Sequence, residues 1–236
     1  MQTVSIPAVS RPQHDFGSTV AAAAAEAGWS PAALPNLEQW PFQRRPMSAK
    51  QYVFRAGQPK QSLFLVHAGF FKTCLIAEDG RERITGFQLR GDLLGLDAVD
   101  MPVYTCDAIA LDTGEVWELP YASVREDLPG FQQWITSVLA GEIRRDWNWM
   151  LTLSTMSADQ RVVTFLLDLA SRLESLGFSA RRLTLRMTRA EIGNFLALKL
   201  ETVTRALSRL QSQGLIGVEG RDIRIEDPLR MRACLC

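Results

Sequence analysis

Apolar and polar positions follow their clearest helical pattern between residues 188 and 212. One apolar stripe consists of Ile192, Phe195 and Leu196, and a second consists of Val203, Ala206, Leu207 and Leu210. Spacings of three and four residues are those of amphipathic helices. The first helix is predicted to begin at Thr188, because Glu191 three positions later completes a capping box. A short break at residues 197–199 separates it from the second, so the pattern predicts two consecutive short helices.

A small hairpin is predicted directly after these helices. Gly214 stands where the end of a helix favours a left-handed residue. The runs at residues 215–219 and 221–226 then flank Gly220, as two short strands flank a turn. Two helices and a hairpin in this order predict a winged helix-turn-helix. The second helix of such a unit enters the DNA major groove and presents its N-terminal residues to the base edges.

The middle of the chain shows short apolar runs in place of long helical stripes. Short apolar runs, separated by Gly and Asp, predict strands of a small β-barrel or roll. The clearest runs are residues 52–54, 63–67, 71–77, 82–88 and 105–111.

One long helix is predicted over residues 131–155, and a further amphipathic helix over 158–176 ends at Gly177. Five positions of the long helix are spaced by four and three residues, which is the seam of a helix that pairs with a copy of itself. They are Leu139, Ile143, Asp146, Met150 and Leu153. The alternative is a helix packed on its own domain, with Trp134, Trp147 and Trp149 on another face. In a dimer, Asp146 would either lie in the seam and repel Asp146 of the second copy, or it would tilt away from the seam into solvent.

These patterns divide the chain into four parts. Residues 1–40, rich in Ala, Pro, Ser and Gln, are expected to be a flexible tail, with a short helix near residues 20–27. A β-roll domain is expected over 41–127, with a short helix around 121–126. A dimerisation helix follows over 128–156 and a winged helix-turn-helix over 157–236. The fold class is therefore α+β.

Composition and charge narrow the function. The chain has 236 residues, of which 47% are apolar, and its net charge is zero, which argues against a protein that coats nucleic acid indiscriminately. From residue 178 onward, however, Lys and Arg outnumber Asp and Glu by 11 to 6, leaving 15 against 20 elsewhere. A basic C-terminal part on an acidic body is typical of an attached DNA-binding domain.

Other classes of protein are disfavoured. No apolar run approaches the length of a membrane span, so no membrane partner and a cytoplasmic location are expected. Four cysteines do not make a disulfide framework. No catalytic triad, paired-histidine motif or Gly-rich phosphate loop is present, so an enzyme is not expected.

The order of roll, long helix and winged helix-turn-helix resembles the CRP/FNR superfamily of bacterial transcription regulators. The resemblance covers about residues 45–228 and is closest to the FNR branch. It rests on the segments ITGFQLRGDLLGLDAV (84–99), LAGEIRRDWNWML (139–151) and RLTLRMTRAEIGNFLALKLETVTRALSRLQSQGLI (182–216). It implies a cyclic-nucleotide-binding-like double-stranded jelly-roll, a homodimer that activates transcription, and a two-fold DNA site with TTGAT-type half-sites.

The resemblance also assigns DNA contacts. The expected base-contacting residues are Glu201, Thr204 and Arg205. Contacts to the DNA backbone are expected from Thr188, Arg189, Lys199, Thr202 and Arg209. Lys199 replaces a Ser or Thr helix cap, and Ala197 replaces a turn glycine. RNA polymerase is the further expected partner, through turns near residues 78–83 and 90–92.

Two ligands of CRP/FNR proteins, a cyclic nucleotide and a [4Fe–4S] cluster, fit the residues of this chain poorly. Residues 91–124 contain no Lys or Arg and seven acidic residues, so a cyclic nucleotide phosphate would be repelled. No cysteine precedes Cys74, and Trp117 stands about where relatives have a roll cysteine. The four thiolates of a [4Fe–4S] cluster are therefore missing, and neither a cofactor nor a metal site is expected.

Alternatives for the signal remain open. Cys74 and Cys106 are expected to be buried structural thiols, and Cys234 with Cys236 supplies only two ligands. Haem or NO sensing through His67 is the alternative, although a lone His at a strand end is more often simply hydrogen-bonded. The dimer would otherwise be constitutively competent or would respond to another small molecule through the roll.

Overall fold

The structure, a computed structural model, describes residues 42–78, 80–121 and 131–235. The expected tail, its short helix, most of the helix expected at 121–126, and Cys236 lie outside the described residues. The strands are β1 (Gln43–Met47), β2 (Tyr52–Phe54), β3 (Ser62–Ala68), β4 (Phe71–Ile76), β5 (Glu82–Gln88), β6 (Leu93–Leu94), β7 (Asp107–Ala110), β8 (Gly114–Pro120), β9 (Arg182–Thr184), β10 (Ile216–Glu219) and β11 (Asp222–Ile225). The helices are α1 (Phe131–Thr155), α2 (Ala158–Ser175), α3 (Arg189–Phe195), α4 (Leu200–Ser212) and α5 (Pro228–Ala233).

Strands β1 to β8 form the roll as two antiparallel four-stranded sheets. Their strand orders are β1-β8-β3-β6 and β2-β7-β4-β5. The apolar faces of the two sheets enclose one core, in which Phe54 stacks on Tyr104 at 3.9 Å between ring centroids. The five strands predicted from the sequence are present. Strands β1, β6 and β8 were not predicted, and β7 is shorter than the predicted run at 105–111.

Helix α1 is anchored to the roll by its N-terminal half. Phe131, Trp134, Ile135 and Val138 are buried against the sheet that contains Trp117. These positions are three and four residues apart, so they form one helical stripe. The C-terminal half leaves this sheet and carries the predicted seam.

The C-terminal domain packs α2, α3 and α4 around one apolar core. Helix α2 begins at a capping box formed by Ser157 and Gln160. The predicted wing is present, with Gly220 at φ 62° between β10 and β11. Strand β9 adds a third strand beside β11, giving the order β10-β11-β9. No helix in the described ranges is long and apolar enough to cross a membrane.

Candidate nucleic-acid interface

The turn between α3 and α4 sets the relative orientation of the two helices. Thr188 caps α3 by accepting from the Glu191 amide at 3.1 Å, while the Glu191 carboxylate accepts from the Thr188 amide at 2.8 Å. The Leu198 amide donates to the Gly193 carbonyl at 2.8 Å, which closes the turn. A Cβ atom at Gly193 would lie 2.7 Å from the Leu198 carbonyl oxygen. Gly193 is therefore required by close backbone approach, and the periodicity of apolar residues gave no sign of this.

Ala197 occupies the turn in a left-handed conformation. Its φ is 53°, in the region that favours glycine. This is the strained position expected where an alanine replaces a turn glycine. Ala197 is exposed.

Helix α4 exposes its first turns. Glu201 and Arg205 are exposed and Thr204 is half-buried, whereas Val203 and Leu207 face the core. Within the described ranges, Glu201 and Arg205 make no hydrogen bond or ion pair through their side chains, although they lie four residues apart. Their polar groups are thus available to a partner. A carboxylate and a guanidinium on the first two turns of such a helix can accept from and donate to base edges.

The five residues expected to contact the DNA backbone are not equivalent. Lys199 is the N-cap of α4, is exposed, and makes no side-chain capping bond. Thr188 uses its hydroxyl in the cap of α3, where it donates to Glu191 at 2.9 Å. Arg189 and Thr202 are half-buried on the two helices. Arg209 forms a two-bond ion pair with Asp159 of α2, including Nε to Oδ2 at 2.7 Å.

The predicted seam lies on a helix face that is largely uncovered. Ile143 is 47% exposed and Met150 is 65% exposed, and Asp146 lies exposed between them. Leu139 and Leu153 at the two ends are partly covered by the chain's own cores.

The three tryptophans of α1 behave differently from one another. Trp134 is buried, and Trp149 meets Phe195 edge-on at 4.8 Å, so both pack on the chain's own domains. Trp147, which the alternative to a dimer helix also placed on its own domain, is 61% exposed. It lies four residues from Ile143 and three from Met150, and therefore extends the exposed apolar face.

A cavity of about 400 Å³ lies between the roll, α1 and α2. Its two guanidinium groups, Arg145 and Arg172, come from the helices, and both form ion pairs with Asp92. Burial raises the pKa of Asp168, although Arg172 and Arg145 oppose this. Four carboxylates line the cavity, namely those of Asp97, Glu142, Asp146 and Asp168. The lining fits an anionic nucleotide poorly, because acidic groups outnumber the two arginines and these are already paired.

The described cysteines and His67 form no ligand set for a metal ion. Cys74 and Cys106 are buried in the roll, and Cys234 is exposed near the C-terminus. Burial raises the pKa of the Cys74 thiol to about 12. The described residues contain no group of three or more His, Cys, Asp or Glu side chains placed to hold a metal ion. An iron–sulfur cluster that needs four thiolates fits this arrangement poorly.

His67 lies in the roll against Trp117. The two rings stack at 4.3 Å, and the Trp117 indole donates to Glu115 Oε1 at 2.6 Å. Burial lowers the pKa of His67, which Glu115 at 4.0 Å partly opposes. One ring face of His67 is therefore occupied, and the residue does not line the cavity described above.

The two turns expected to contact RNA polymerase differ in exposure. Glu78 and Arg81 are exposed at the end of the β4–β5 hairpin. Asp92, in the second turn, accepts from the Leu89 amide at 2.8 Å and forms an ion pair with Arg172 of α2. The second turn is thus partly committed to contacts within the chain.

Comparison with known proteins agrees with this arrangement. Residues 160–234 match the Crp-like helix-turn-helix domain family, and residues 44–128 match the cyclic nucleotide-binding domain family. The transcriptional activator protein Anr of Pseudomonas aeruginosa is 39% identical over 203 residues, covering 85% of this chain and 83% of that protein. The fumarate and nitrate reduction regulatory protein of Escherichia coli is 37% identical over 197 residues, with coverages of 82% and 79%. The solved structure of FixK2 from Bradyrhizobium japonicum aligns with a TM-score of 0.73 at 30% identity, covering 81% of this chain and 96% of that one.

Proposed function

The chain belongs to the CRP/FNR family of transcription regulators, and we propose that it acts as a homodimer that recognises a two-fold DNA site with TTGAT-type half-sites. It is a regulator with a helix-turn-helix DNA-binding domain and not an enzyme. The observation that carries the proposal is the exposed pair Glu201 and Arg205 on the first turns of α4.

These side chains suit the bases of such a half-site. Arg205 can donate two hydrogen bonds to O6 and N7 of guanine, and Glu201 can accept from the amino group of cytosine or adenine. Thr204 can contact a thymine methyl group. Each good contact would contribute about 1–3 kcal/mol of discrimination between bases. Lys199, Arg189, Thr202 and Thr188 would hold the domain on the phosphates, which fixes register and adds no sequence preference.

The homodimer is supported by the exposed face of α1. Ile143, Trp147 and Met150 are large apolar side chains that a solvated helix would not normally present together. A second copy of α1 would cover them and bring two DNA-binding domains to one two-fold site.

We further propose that the protein works without a [4Fe–4S] cluster or cyclic nucleotide, and that it activates transcription by contacting RNA polymerase in the cytoplasm. The charge of the cavity supports the first statement. So does the lack, among the described residues, of a group of three or more side chains placed to hold a metal ion. The name of the relative Anr as a transcriptional activator, and the exposed hairpin end at Glu78 and Arg81, support the second.

The test is a fluorescence anisotropy titration of aerobically purified, metal-stripped protein on a TTGAT-N4-ATCAA duplex and on a scrambled duplex. We expect tight binding to the first and weak, salt-sensitive binding to the second. Equal affinity for the two duplexes would contradict the proposal.

Two variants sharpen the test. Arg205→Ala is expected to abolish discrimination between the duplexes. Lys199→Ala is the matched control, because the loss of a phosphate contact would weaken binding to both duplexes about equally. If Arg205→Ala keeps full discrimination, α4 does not contact the bases as proposed.

A second candidate is a regulator of the same fold that is gated by a small molecule. The observation that favours it is that the cavity is lined by Ile143 and Asp146 of the seam, so that an occupant would touch the dimer interface. In this case the stripped protein would sediment as a monomer and bind the TTGAT duplex only after a ligand is restored. Haem bound through His67 would lie outside this cavity and is a separate form of gating. It predicts a Soret band on haem addition that is lost in His67→Ala.

A further inference from the structure

Helix α3 is held against the roll by its Asn194 side chain. The Asn194 Oδ1 atom accepts from the Ile84 amide at 2.8 Å, and its Nδ2 atom donates to the Glu82 carbonyl at 2.7 Å. Strand β5 is the last strand of its sheet, so these two backbone groups point away from β4. The carboxamide of Asn194 thus occupies the place of a neighbouring strand and joins the DNA-binding domain directly to the roll.

An ion pair reinforces this contact one turn earlier on α3. Lys72 of β4 is nearly buried, and its Nζ atom lies 2.7 Å from Glu82 Oε1 and 3.1 Å from Glu191 Oε1. Burial alone would lower the pKa of Lys72, but the hydrogen bonds to Glu82 and Glu191 raise it above its ordinary value. The Glu191 carboxylate therefore both caps α3 and binds the roll. Lys72, Glu191 and Asn194 are together called the latch.

Aromatic packing surrounds the latch. Phe195 meets Phe87 of β5 at 5.4 Å and Trp149 of α1 at 4.8 Å, both nearly edge-on. The helix that carries the exposed apolar face is thus packed against the helix that precedes α4. Trp149 and Phe195 thus connect α1 to α3 next to the latch.

The latch leaves the proposed DNA-contacting face open. It engages α3, whereas Glu201 and Arg205 are exposed on α4. The chain segment that connects α1 to α2 consists only of Met156 and Ser157. This short segment alone would allow the DNA-binding domain to pivot. Helix α2 is also tied to the roll, because Arg172 pairs with Asp92. The latch, however, is the contact that holds α3 and the turn leading into α4, and it therefore restrains the orientation of α4.

We propose that the latch fixes the distance between the two copies of α4 in the dimer, and so determines which spacing between half-sites the protein accepts. The inference rests on the proposed function, because spacing has meaning only for a dimer on a two-fold site. Asn194 and Lys72 are positioning residues that touch no base in this scheme. Their loss would relax the preference for spacing without changing the preference for bases.

The experiment measures the affinity of the protein for a series of TTGAT duplexes. The spacer between the half-sites is four base pairs in one duplex and is shorter or longer by one or two base pairs in the others. A duplex with a single half-site completes the series. We expect wild type to prefer one spacer clearly. Asn194→Ala removes both hydrogen bonds that hold the domain in this orientation, so only a fraction of the dimers would present the two copies of α4 at the preferred distance, and the affinity for the preferred spacer should fall about tenfold. Affinities for the other spacers should change little, and single half-site affinity should stay at the wild-type value.

Two further variants keep the test decisive. Glu191→Gln retains a capping box, because glutamine serves at this position, but it removes the charge that pairs with Lys72. It should reduce the spacing preference in the same direction. Gln211→Ala, on the exposed far end of α4, is the matched control and should leave the preference unchanged. Unchanged single half-site binding reports that a variant is folded.

The possible failures are distinguishable. If wild type prefers one spacer and Asn194→Ala keeps the same ratio between spacers within twofold, the latch does not set the spacing and the inference is overturned. If wild type itself binds all spacers equally, the dimeric recognition proposed above fails together with the inference.

Discussion

Replacing Ala197 by glycine should stabilise the DNA-binding domain. Ala197 stands in the left-handed region at φ 53°, between two helices whose positions the turn fixes. Its methyl group is exposed, so glycine would remove strain without leaving a cavity. The substitution therefore isolates a backbone effect from packing.

The magnitude follows from two opposing contributions. A left-handed conformation costs a non-glycine residue about 1–2 kcal/mol. Glycine also lowers the free energy of unfolding by about 0.4–1 kcal/mol, because it increases the conformational entropy of the unfolded chain. The net gain in the free energy of unfolding should be about 0.5–1 kcal/mol, or about 1–4 °C in Tm for a chain of this length.

Thermal and urea unfolding, followed by far-UV circular dichroism, would measure this gain. The control is the same substitution at Ala190, an exposed position of α3 with ordinary helical backbone. There glycine should lower stability, by up to about 1 kcal/mol. A destabilising effect of Ala197→Gly, or effects of the same sign at both positions, would refute the reasoning from φ.

Three other predictions concern charge, acid and thiols. Asp146→Ala should strengthen the dimer in sedimentation velocity, because it removes like charges that face each other across the seam; an unchanged dissociation constant would place Asp146 outside it. Burial alone would raise the pKa of Glu191, but bonds from Thr188 and Lys72 hold it below its ordinary value. The stability that ionised Glu191 contributes is therefore present above pH about 4.5 and is lost as the pH falls through the lowered pKa. Glu191→Gln should remove this part of the acid sensitivity of Tm. If the variant and wild type show the same dependence of Tm on pH, the ion pair of Glu191 with Lys72 does not contribute to stability. In native protein, Cys234 should react with a thiol reagent and Cys74 only after unfolding, and fast native labelling of Cys74 would contradict its burial.

The sequence was sufficient for features that follow from local rules. Thr188 and Glu191 form the predicted capping box, and Gly177 and Gly214 end helices in left-handed conformations. The apolar stripe through Val203 is buried as its periodicity indicated. The exposure of Glu201 and Arg205 follows from the same periodicity, because they lie away from that stripe.

Features that depend on contacts distant in sequence were not predictable in this way. Asn194 and Lys72 are separated by more than a hundred residues, and no local pattern relates them. Strand β9 has only three residues and forms because β11 offers an open side. The exposure of Trp147 was not predictable either, since periodicity defines which residues share a stripe and not which surface covers it.

The contact between Asn194 and β5 has a further consequence for the roll on its own. An unpaired outer strand offers free amide and carbonyl groups to any other extended chain and so invites aggregation. Here Asn194 occupies the Glu82 and Ile84 groups, while Leu75 and Ile76 stand exposed on the adjoining strand. The DNA-binding domain therefore also acts as a protective cover. A roll produced without the DNA-binding domain would expose the unpaired edge of β5. The solubility of the isolated roll would then depend on whether another group covers this edge.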